Sequence, residues 1–315
     1  MTAAPQAPAD SVERSWVDHA PGVAQPYLRL MRLDRPIGAW LLFWPCVFGL
    51  ALGAAATGHG FGSWRDARLI ALFGMGALVM RGAGCTYNDI VDRDIDAQVA
   101  RTRGRPIPSG AVSAKQAAVL LAAQCVAGLA ILLQLNRFSI VLGASSLVLV
   151  AAYPFMKRIT WWPQAWLGLT FNWGALLGFS AAAGHLALPA YLLYASGFFW
   201  TLGYDTIYAL QDVEDDALIG VKSTARLFGA ASRAWVAGFY AMQFLLFLAA
   251  GWTAGLGWPF AILAVPAGAH LAWQAATLRP DDTTRCLKLF RANRDAGFLL
   301  AAALVLLSLI PGRFS

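Results

Sequence analysis

The sequence predicts an all-α, polytopic membrane protein, and three observations support this prediction. Of the 315 residues, 58% are hydrophobic and only 13% are charged, whereas soluble domains carry about 25% charged residues. The mean hydropathy is +0.56. Apolar stretches recur along the chain and are separated by Gly, Pro and charged residues. This composition excludes a disordered, a collagen-like or a disulfide-rich protein.

About nine stretches are long enough to cross a bilayer, whose hydrocarbon core of about 30 Å requires about 20 apolar residues per helix. They cover residues 38–57, 69–88, 116–134, 138–156, 164–183, 190–211, 232–253, 257–277 and 295–311. Residues 1–25 contain no apolar core. We therefore expect a disordered N-terminal tail over residues 1–25, followed by a single integral-membrane domain over residues 26–315.

The basic residues predict the orientation of these spans, because cytoplasmic loops are enriched in Lys and Arg. With a cytoplasmic N-terminus, 19 of the 24 Lys and Arg residues fall on that side, four fall on the other side, and Arg81 lies within a span. This topology accounts for the net charge of +7 without a nucleic-acid partner. We expect a multi-pass protein of the cell inner (plasma) membrane, with its functional loops on the cytoplasmic side.

Nine of the 17 carboxylates lie in two short windows, each at the cytoplasmic end of a predicted span. In the first window, Asn88, Asp92 and Asp96 are spaced at i, i+4 and i+8, so they share one face of a helix, with Asp89 beside them. The window therefore predicts a stripe of oxygen ligands.

The second window predicts a similar stripe. Asp205, Tyr208, Asp212 and Asp216 are spaced at i, i+3, i+7 and i+11. Neighbouring carboxylates repel unless a cation lies between them. Oxygen ligands without His or Cys favour Mg²⁺, which keeps coordination positions for substrate phosphate. The two stripes thus indicate a diphosphate bridged to the protein by metal ions; the alternative is a pair of solvated helix ends.

Basic side chains near the windows are candidates for binding anions. Arg103 follows the first window, Lys222 follows the second, and Arg35 precedes the first span. Each can neutralise phosphate oxygens, or can serve only as positive-inside charge or an interfacial anchor. Lys157 and Arg158 close the fourth span, where one of them could bind a substrate carboxylate or could snorkel to the interface.

Two ionisable residues lie deeper in the predicted spans. Arg81 is seven residues before Asn88 on the same helical face. An arginine within the membrane is costly and usually faces a cavity or a partner, so we predict that Arg81 binds an acidic group. Asp205 lies about two turns deeper than Asp212 and needs a donor, which a substrate phenol could supply.

Four segments of the sequence resemble the UbiA superfamily of intramembrane prenyltransferases, in its ubiquinone-pathway form. They are RLDRPIGAWLLFWP at 32–45, NDIVDRDIDAQVARTRGRP at 88–106, YPFMKRITWWPQAWLG at 153–168 and YDTIYALQDVEDDALIGVKSTA at 204–225. The resemblance covers about residues 27–310. It implies nine transmembrane helices around a central cavity that opens sideways to lipid.

The resemblance also implies a reaction and a set of site residues. The implied reaction is the Mg²⁺-dependent transfer of a polyprenyl group from polyprenyl diphosphate to the ring of 4-hydroxybenzoate, ortho to the hydroxyl. The implied metal ligands are Asp89, Asp92, Asp96, Asp212 and Asp216. Candidate substrate-binding residues are Arg35, Asn88, Arg103, Lys157, Arg158 and Lys222, and candidate catalytic residues are Arg81, Asp205 and Tyr208.

Other functions remain open at this point. A superfamily member of the menaquinone, haem O, chlorophyll or tocopherol type would share both acidic windows. A divalent-cation transporter would place its acidic residues near the bilayer midplane, whereas these lie at the ends of spans. A purely structural membrane subunit leaves the two windows unexplained.

Overall fold

The computed structural model describes residues 15–98 and 102–308, and every regular element in these ranges is a helix. The α-helices are α1 (Gln25–Leu30), α2 (Ile37–Ala56), α3 (Trp64–Asp96), α4 (Ala114–Leu132), α5 (Arg137–Ser145), α6 (Leu147–Ile159), α7 (Pro163–Phe171), α8 (Trp173–Ala183), α9 (Leu188–Ala209), α10 (Val213–Leu218), α11 (Thr224–Phe228), α12 (Ser232–Thr253), α13 (Gly257–Thr277) and α14 (Thr283–Ser308). Two short 3₁₀ helices cover Trp16–His19 and Gly229–Ala231.

Five helical stretches in the described residues are long and apolar enough to cross a membrane. They are residues 37–56, 64–96, 114–132, 137–159 and 224–253. The all-α, polytopic class is therefore confirmed. The number of nine spans and the side on which the N-terminus lies stay predictions.

Two predicted spans are each formed by two helices rather than one. The span predicted over 138–156 is divided at Ser146, between α5 and α6, and the span predicted over 164–183 is divided at Asn172, between α7 and α8. The Asn172 amide donates to the carbonyl of Gly168 at 2.9 Å and to the Thr201 hydroxyl at 2.7 Å. Asn and Ser side chains compete with the backbone for such partners and therefore interrupt helices. The last predicted span is helical up to Ser308, and its remaining residues lie outside the described ranges.

The helices belong to two compact units. Among the described residues, the first unit comprises 15–39, 74–98 and 102–134, and thus holds α1, the greater part of α3, and α4. Its core contains Leu30, Ile107, Val112 and Ala117, with partly buried Ile90 packed against them. This core anchors α1 and the 102–113 segment beside the last turns of α3, which carry the first acidic window.

Residues 15–33 of the first unit are linked by side-chain hydrogen bonds and an ion pair. The Ser15 side chain caps the 3₁₀ helix, and Asp18 forms an ion pair with Arg29 at 2.9 Å. The Trp16 indole donates to the carbonyl of Leu33 at 3.1 Å. The first 14 residues of the predicted tail lie outside the described ranges, and the predicted boundary between the tail and a single domain stays a prediction.

The described part of the second unit comprises residues 40–73 and 135–308. In its described part α9 packs against α7, α8, α11, α12 and α14, so that α9 is the central helix. Most of the α9 side chains between Trp200 and Ala209 are buried, and Asp205 and Tyr208 are partly exposed. The fold therefore surrounds the helix that leads into the second acidic window.

Candidate active site

The first acidic window forms the last turns of α3, as its spacing predicts. The relative exposures of Asp89, Asp92 and Asp96 are only 1%, 0% and 4%, while Asn88 is partly buried. Asp94, in contrast, is 83% exposed. Carboxylates are almost never buried unless they are paired or bind a cation. The three buried aspartates therefore need positive partners, and Asp94 is a solvated residue.

Two arginines supply positive charge to this window. Arg32 donates from Nη2 to both oxygens of Asp89 at 2.8 Å, and the Arg32 side chain is only 9% exposed. Arg105 donates from Nη1 to Asp96 Oδ2 at 2.8 Å and lies 3.4 Å from Asp89 Oδ1. A chain of charge-assisted hydrogen bonds thus links Arg32, Asp89, Arg105 and Asp96.

Neither Arg32 nor Arg105 was among the site residues predicted from sequence. Both are basic residues beside a span in the sequence, and the residue predicted to bind substrate in the RTRGR run at 101–105 is Arg103. In the structure Arg103 is exposed, and its predicted role in substrate binding stays a prediction. The signal available in the sequence was the position of Arg32 in the RLDRP segment, three residues before Arg35.

The backbone at Arg32 is strained in a way that suits this contact. Arg32 has φ of 59° and is the only residue other than glycine with a positive φ in the described part of the chain. Its N–H bonds to the carbonyl of Arg29 at 2.9 Å, which closes the turn between α1 and α2. A left-handed conformation costs an L-residue about 1–2 kcal/mol. The Arg32 side chain is held against this cost by its two bonds to Asp89 and by a bond from Nη1 to the carbonyl of Arg29 at 3.1 Å.

Arg35 and Arg81 lie in the same unit as the first window. Arg35 donates from Nε to Asp34 at 3.1 Å, and both side chains are largely buried. Arg81 is a partly buried residue of α3, and a Cβ added to Gly38 would overlap its Nε atom. A side chain at residue 38 would therefore require the Arg81 guanidinium to move.

The second acidic window does not lie on one helix, so the predicted continuous stripe is wrong. Helix α9 ends at Ala209, and Asp212 is the residue that precedes α10. The N–H of Asp212 bonds to the carbonyl of Ala209, three residues back, at 3.2 Å. Such a tightened last turn is typical of the end of a helix, and aspartate is a preferred N-cap residue of the helix that follows.

The residues of the second window are therefore divided between two elements. Asp205 and Tyr208 lie on α9, while Asp212 and Asp216 are joined by a backbone hydrogen bond of 2.8 Å at the start of α10. All four side chains are partly exposed. Tyr208 packs on Phe290 with a ring-centroid distance of 4.6 Å. Asp212 and Asp216 thus keep the predicted i, i+4 spacing on one helical turn. A turn between α9 and α10 separates them from Asp205.

Basic residues of the second unit lie next to this window. The N–H of Lys222 bonds to the carbonyl of Lys157 at 3.0 Å, and its ammonium bonds to the carbonyl of Ile159 at 3.2 Å. The segment after α10 is thereby attached to the end of α6. Lys157 is partly buried, while Arg158 is exposed and lies 5.8 Å from the centre of the Phe155 ring.

Arg226 is a further cation at this window. In the sequence it closes the run that begins with Lys222 and that can either neutralise phosphate or serve as positive-inside charge. It donates to the carbonyl of Asp216 at 3.3 Å and also to that of Val221. Its guanidinium lies 5.3 Å from the centre of the Trp161 ring. The side chain therefore holds the loop that follows the second pair of aspartates.

The donor set of both windows suits Mg²⁺. In the described residues no group of three or more His, Cys, Asp or Glu side chains is gathered as a metal site. Mg²⁺ does not require such a group, because it is usually bound by one or two carboxylates together with substrate phosphates and water. Paired aspartates at i, i+4 fit this mode of binding, and the predicted ligands stay predictions.

Five helical stretches long and apolar enough to span a membrane, together with buried aspartates that end α3 and are paired with arginines, define the class as a helical membrane protein. Comparison with known families is more specific. The chain belongs to the UbiA prenyltransferase family, whose model matches residues 42–309. The resemblance noted in the four sequence segments is confirmed.

Curated relatives and solved structures agree with this membership. The mitochondrial 4-hydroxybenzoate polyprenyltransferase of Drosophila melanogaster is 51% identical over 288 residues, which cover 91% of this chain and 72% of the relative. The human protein of the same name is 48% identical over 297 residues, covering 92% and 77% of the two chains. A UbiA homologue from Aeropyrum pernix K1 superposes with a TM-score of 0.71 at 25% identity, covering 84% of this chain and 97% of that one.

A further structure shows the same fold at lower identity. It is a UbiA homologue from Archaeoglobus fulgidus bound to GPP and Mg²⁺, with a TM-score of 0.62 at 19% identity, covering 88% of this chain and 99% of that one.

The relatives correct the predicted location. The fly and human proteins are both described as mitochondrial, so the prediction of a cell inner (plasma) membrane is wrong. The physical reason is that an excess of Lys and Arg distinguishes the two faces of a membrane. It does not distinguish one membrane from another.

Proposed function

We propose that this protein transfers a polyprenyl group from polyprenyl diphosphate to 4-hydroxybenzoate, ortho to the hydroxyl, and releases diphosphate. The observation that carries the proposal is the identity of about half the residues, over nine-tenths of the chain, to proteins named for that activity. The buried aspartates and their arginine partners are consistent with an anionic substrate. We also propose that the chain crosses the membrane nine times, with its N-terminus on the side that carries the basic loops. Residues 1–25 would form a tail, followed by a single membrane domain.

The chain's own cations can bind the diphosphate. Arg105 already bridges two carboxylates of the first window, so it lies where negative charge is concentrated. Arg35, Asn88 and Arg103 are the other proposed phosphate contacts of the first unit, and Lys222 is the proposed contact of the second. Each would stabilise the charge that develops on the departing diphosphate.

The residues that would hold Mg²⁺ are Asp92 and Asp96 in the first window, and Asp212 and Asp216 in the second. Bound there, Mg²⁺ would supply positive charge that favours the departure of the diphosphate. Both oxygens of the fifth predicted ligand, Asp89, already accept hydrogen bonds from Arg32. Each carboxylate oxygen keeps a further lone pair, so we propose that Asp89 holds this arginine and is also a metal ligand.

The proposed acceptor step uses residues near the end of α9. The C–O electron pair leaves with the diphosphate, and the phenol-activated ring forms the new C–C bond before it loses its proton. Asp205 is the proposed group that polarises the phenol or accepts that proton, and Tyr208 lies one turn away on the same helix. Lys157 or Arg158 would bind the carboxylate of the acceptor, with Arg81 as a further candidate.

The test is a product analysis with purified protein in lipid nanodiscs. We expect mass spectrometry to detect prenylated 4-hydroxybenzoate when Mg²⁺ and polyprenyl diphosphates of several chain lengths are added, and no product after chelation by EDTA. Asp92→Asn and Asp212→Asn should abolish turnover, while the matched controls Asp94→Asn and Glu214→Gln, at exposed positions of the same windows, should not. Absence of product from inserted wild-type protein, with Mg²⁺ flux into liposomes instead, would contradict the proposal.

A further inference from the structure

A group of four polar side chains is buried inside the second unit, away from both acidic windows in sequence. We call Trp200 of α9, Tyr240 of α12, Gln274 of α13 and Asn293 of α14 the polar cluster. Their relative exposures are between 0% and 3%. Each comes from a different helix, so the cluster joins four helices at one place.

Asn293 lies at the centre of the polar cluster. Its carbonyl accepts from the Trp200 indole at 2.8 Å, and its amide donates to Gln274 Oε1 at 2.9 Å. The Tyr240 hydroxyl lies 3.1 Å from Gln274 Oε1 and 3.3 Å from Asn293 Oδ1. An unsatisfied polar group within a bilayer costs several kcal/mol. These bonds therefore favour one rotation of each helix over its alternatives.

The polar cluster is connected to the candidate acceptor residues through close packing. A Cβ added to Gly203 would overlap the ring of Tyr240, so α9 and α12 approach closely just before Asp205. On α14, Phe290 is one turn before Asn293 and packs on Tyr208 with a centroid distance of 4.6 Å. The segment of α9 from Trp200 to Tyr208 is thus held at both ends by α14.

We propose that Asn293 is a positioning residue for the acceptor step. Through Trp200 and Tyr240 it sets the rotation of α9, and this rotation decides where Asp205 and Tyr208 point. The inference rests on the proposed function, because it assigns those two residues to the aromatic acceptor. It concerns the part of α9 that carries Asp205 and Tyr208, whereas the proposed metal ligands Asp212 and Asp216 lie beyond the turn that ends α9, so we expect diphosphate and Mg²⁺ binding to be retained when the polar cluster is disrupted.

The kinetic test compares Asn293→Ala and Tyr240→Phe with Ser196→Ala. Ser196 also forms a buried hydrogen bond between α9 and α12, at 2.8 Å to the carbonyl of Gln243, but it is about 13 Å from Asp205 along the helix. We expect kcat to fall about tenfold to a hundredfold in the first two variants, since small misplacements of reacting groups have effects of that size. The KM for 4-hydroxybenzoate should rise, and the KM for the diphosphate and the Mg²⁺ requirement should stay at wild-type values.

A second measurement does not depend on activity. In an Asp205→Cys background, the rate of thiol labelling by a water-soluble maleimide should change several-fold when Asn293→Ala or Tyr240→Phe is added, and should not change with Ser196→Ala. Unchanged labelling, or equal shifts in both KM values, would overturn the inference. If wild-type protein makes no prenylated product but labelling of Asp205→Cys changes as expected in the Asn293→Ala or Tyr240→Phe variants, the proposed function is overturned. The role of the polar cluster in positioning α9 is then still supported. Tyr240→Phe removes a single oxygen and keeps the test valid if Asn293→Ala does not fold.

Discussion

The Arg32–Asp89 pair makes a prediction about stability that depends on both charge and backbone geometry. Both side chains are more than nine-tenths buried, and removing one member of a buried pair leaves an uncompensated charge. Asp89→Asn should therefore lower the free energy of unfolding by about 3–5 kcal/mol. Arg32→Ala should cost less, because Asp89 keeps Arg105 at 3.4 Å.

Arg32→Gly separates the effect of charge from the effect of the backbone. It removes the same ion pair as Arg32→Ala, but glycine adopts a φ of 59° without a Cβ clash. The glycine variant should be more stable than the alanine variant by about 1 kcal/mol. The expected order of destabilisation is thus Asp89→Asn, then Arg32→Ala, then Arg32→Gly.

The assay is reversible unfolding by SDS of purified protein in detergent micelles, followed by circular dichroism. Asp94→Asn is the matched control, because Asp94 is exposed and lies 3.5 Å from the exposed Arg93. Exposed pairs contribute about 0–1 kcal/mol. The reasoning is refuted if Asp89→Asn costs no more than Asp94→Asn, or if Arg32→Gly is less stable than Arg32→Ala.

Two further predictions concern the first unit. Gly38→Ala should displace the Arg81 guanidinium and lower turnover about tenfold or more. The control is Gly84→Ala, whose added Cβ meets no atom within 4 Å and should leave turnover unchanged. Equal rates in the two variants would contradict this placement of Arg81. The backbone N–H of Ser15 and the Arg29 guanidinium lower the pKa of Asp18 below its ordinary value, so the stabilisation from its charged form is present above about pH 4 and is lost as the pH falls. A nitroxide attached to Val23→Cys should become more mobile below that pH, and mobility that is constant down to pH 2.5 would argue against the ion pair.

Much of the fold was readable from the sequence because its signals are local. The length of an apolar run decides whether a helix can span a bilayer, and the helices α2, α4, α9, α12 and α13 begin and end within a few residues of the predicted spans. The i, i+4 spacing of the first window likewise placed Asp92 and Asp96 on one helix. Family membership followed from four short segments.

The interruptions of helices were not readable in the same way. The break at Asn172 depends on a hydrogen bond to Thr201, a residue of another helix. The end of α9 at Ala209 divides a window whose spacing alone favoured a continuous helix. Both depend on contacts or turn geometry that no periodicity expresses.

By itself the sequence determined the class of protein, the helical stretches and the two acidic windows, because each depends on the composition or spacing of neighbouring residues. Only the tertiary structure decided which arginines meet the buried aspartates. Arg32 and Arg105 reach Asp89 across 57 and 16 residues of sequence, and no local pattern distinguishes them from the other basic residues beside the spans. That distinction requires the distances between atoms, which depend on how the helices and loops pack.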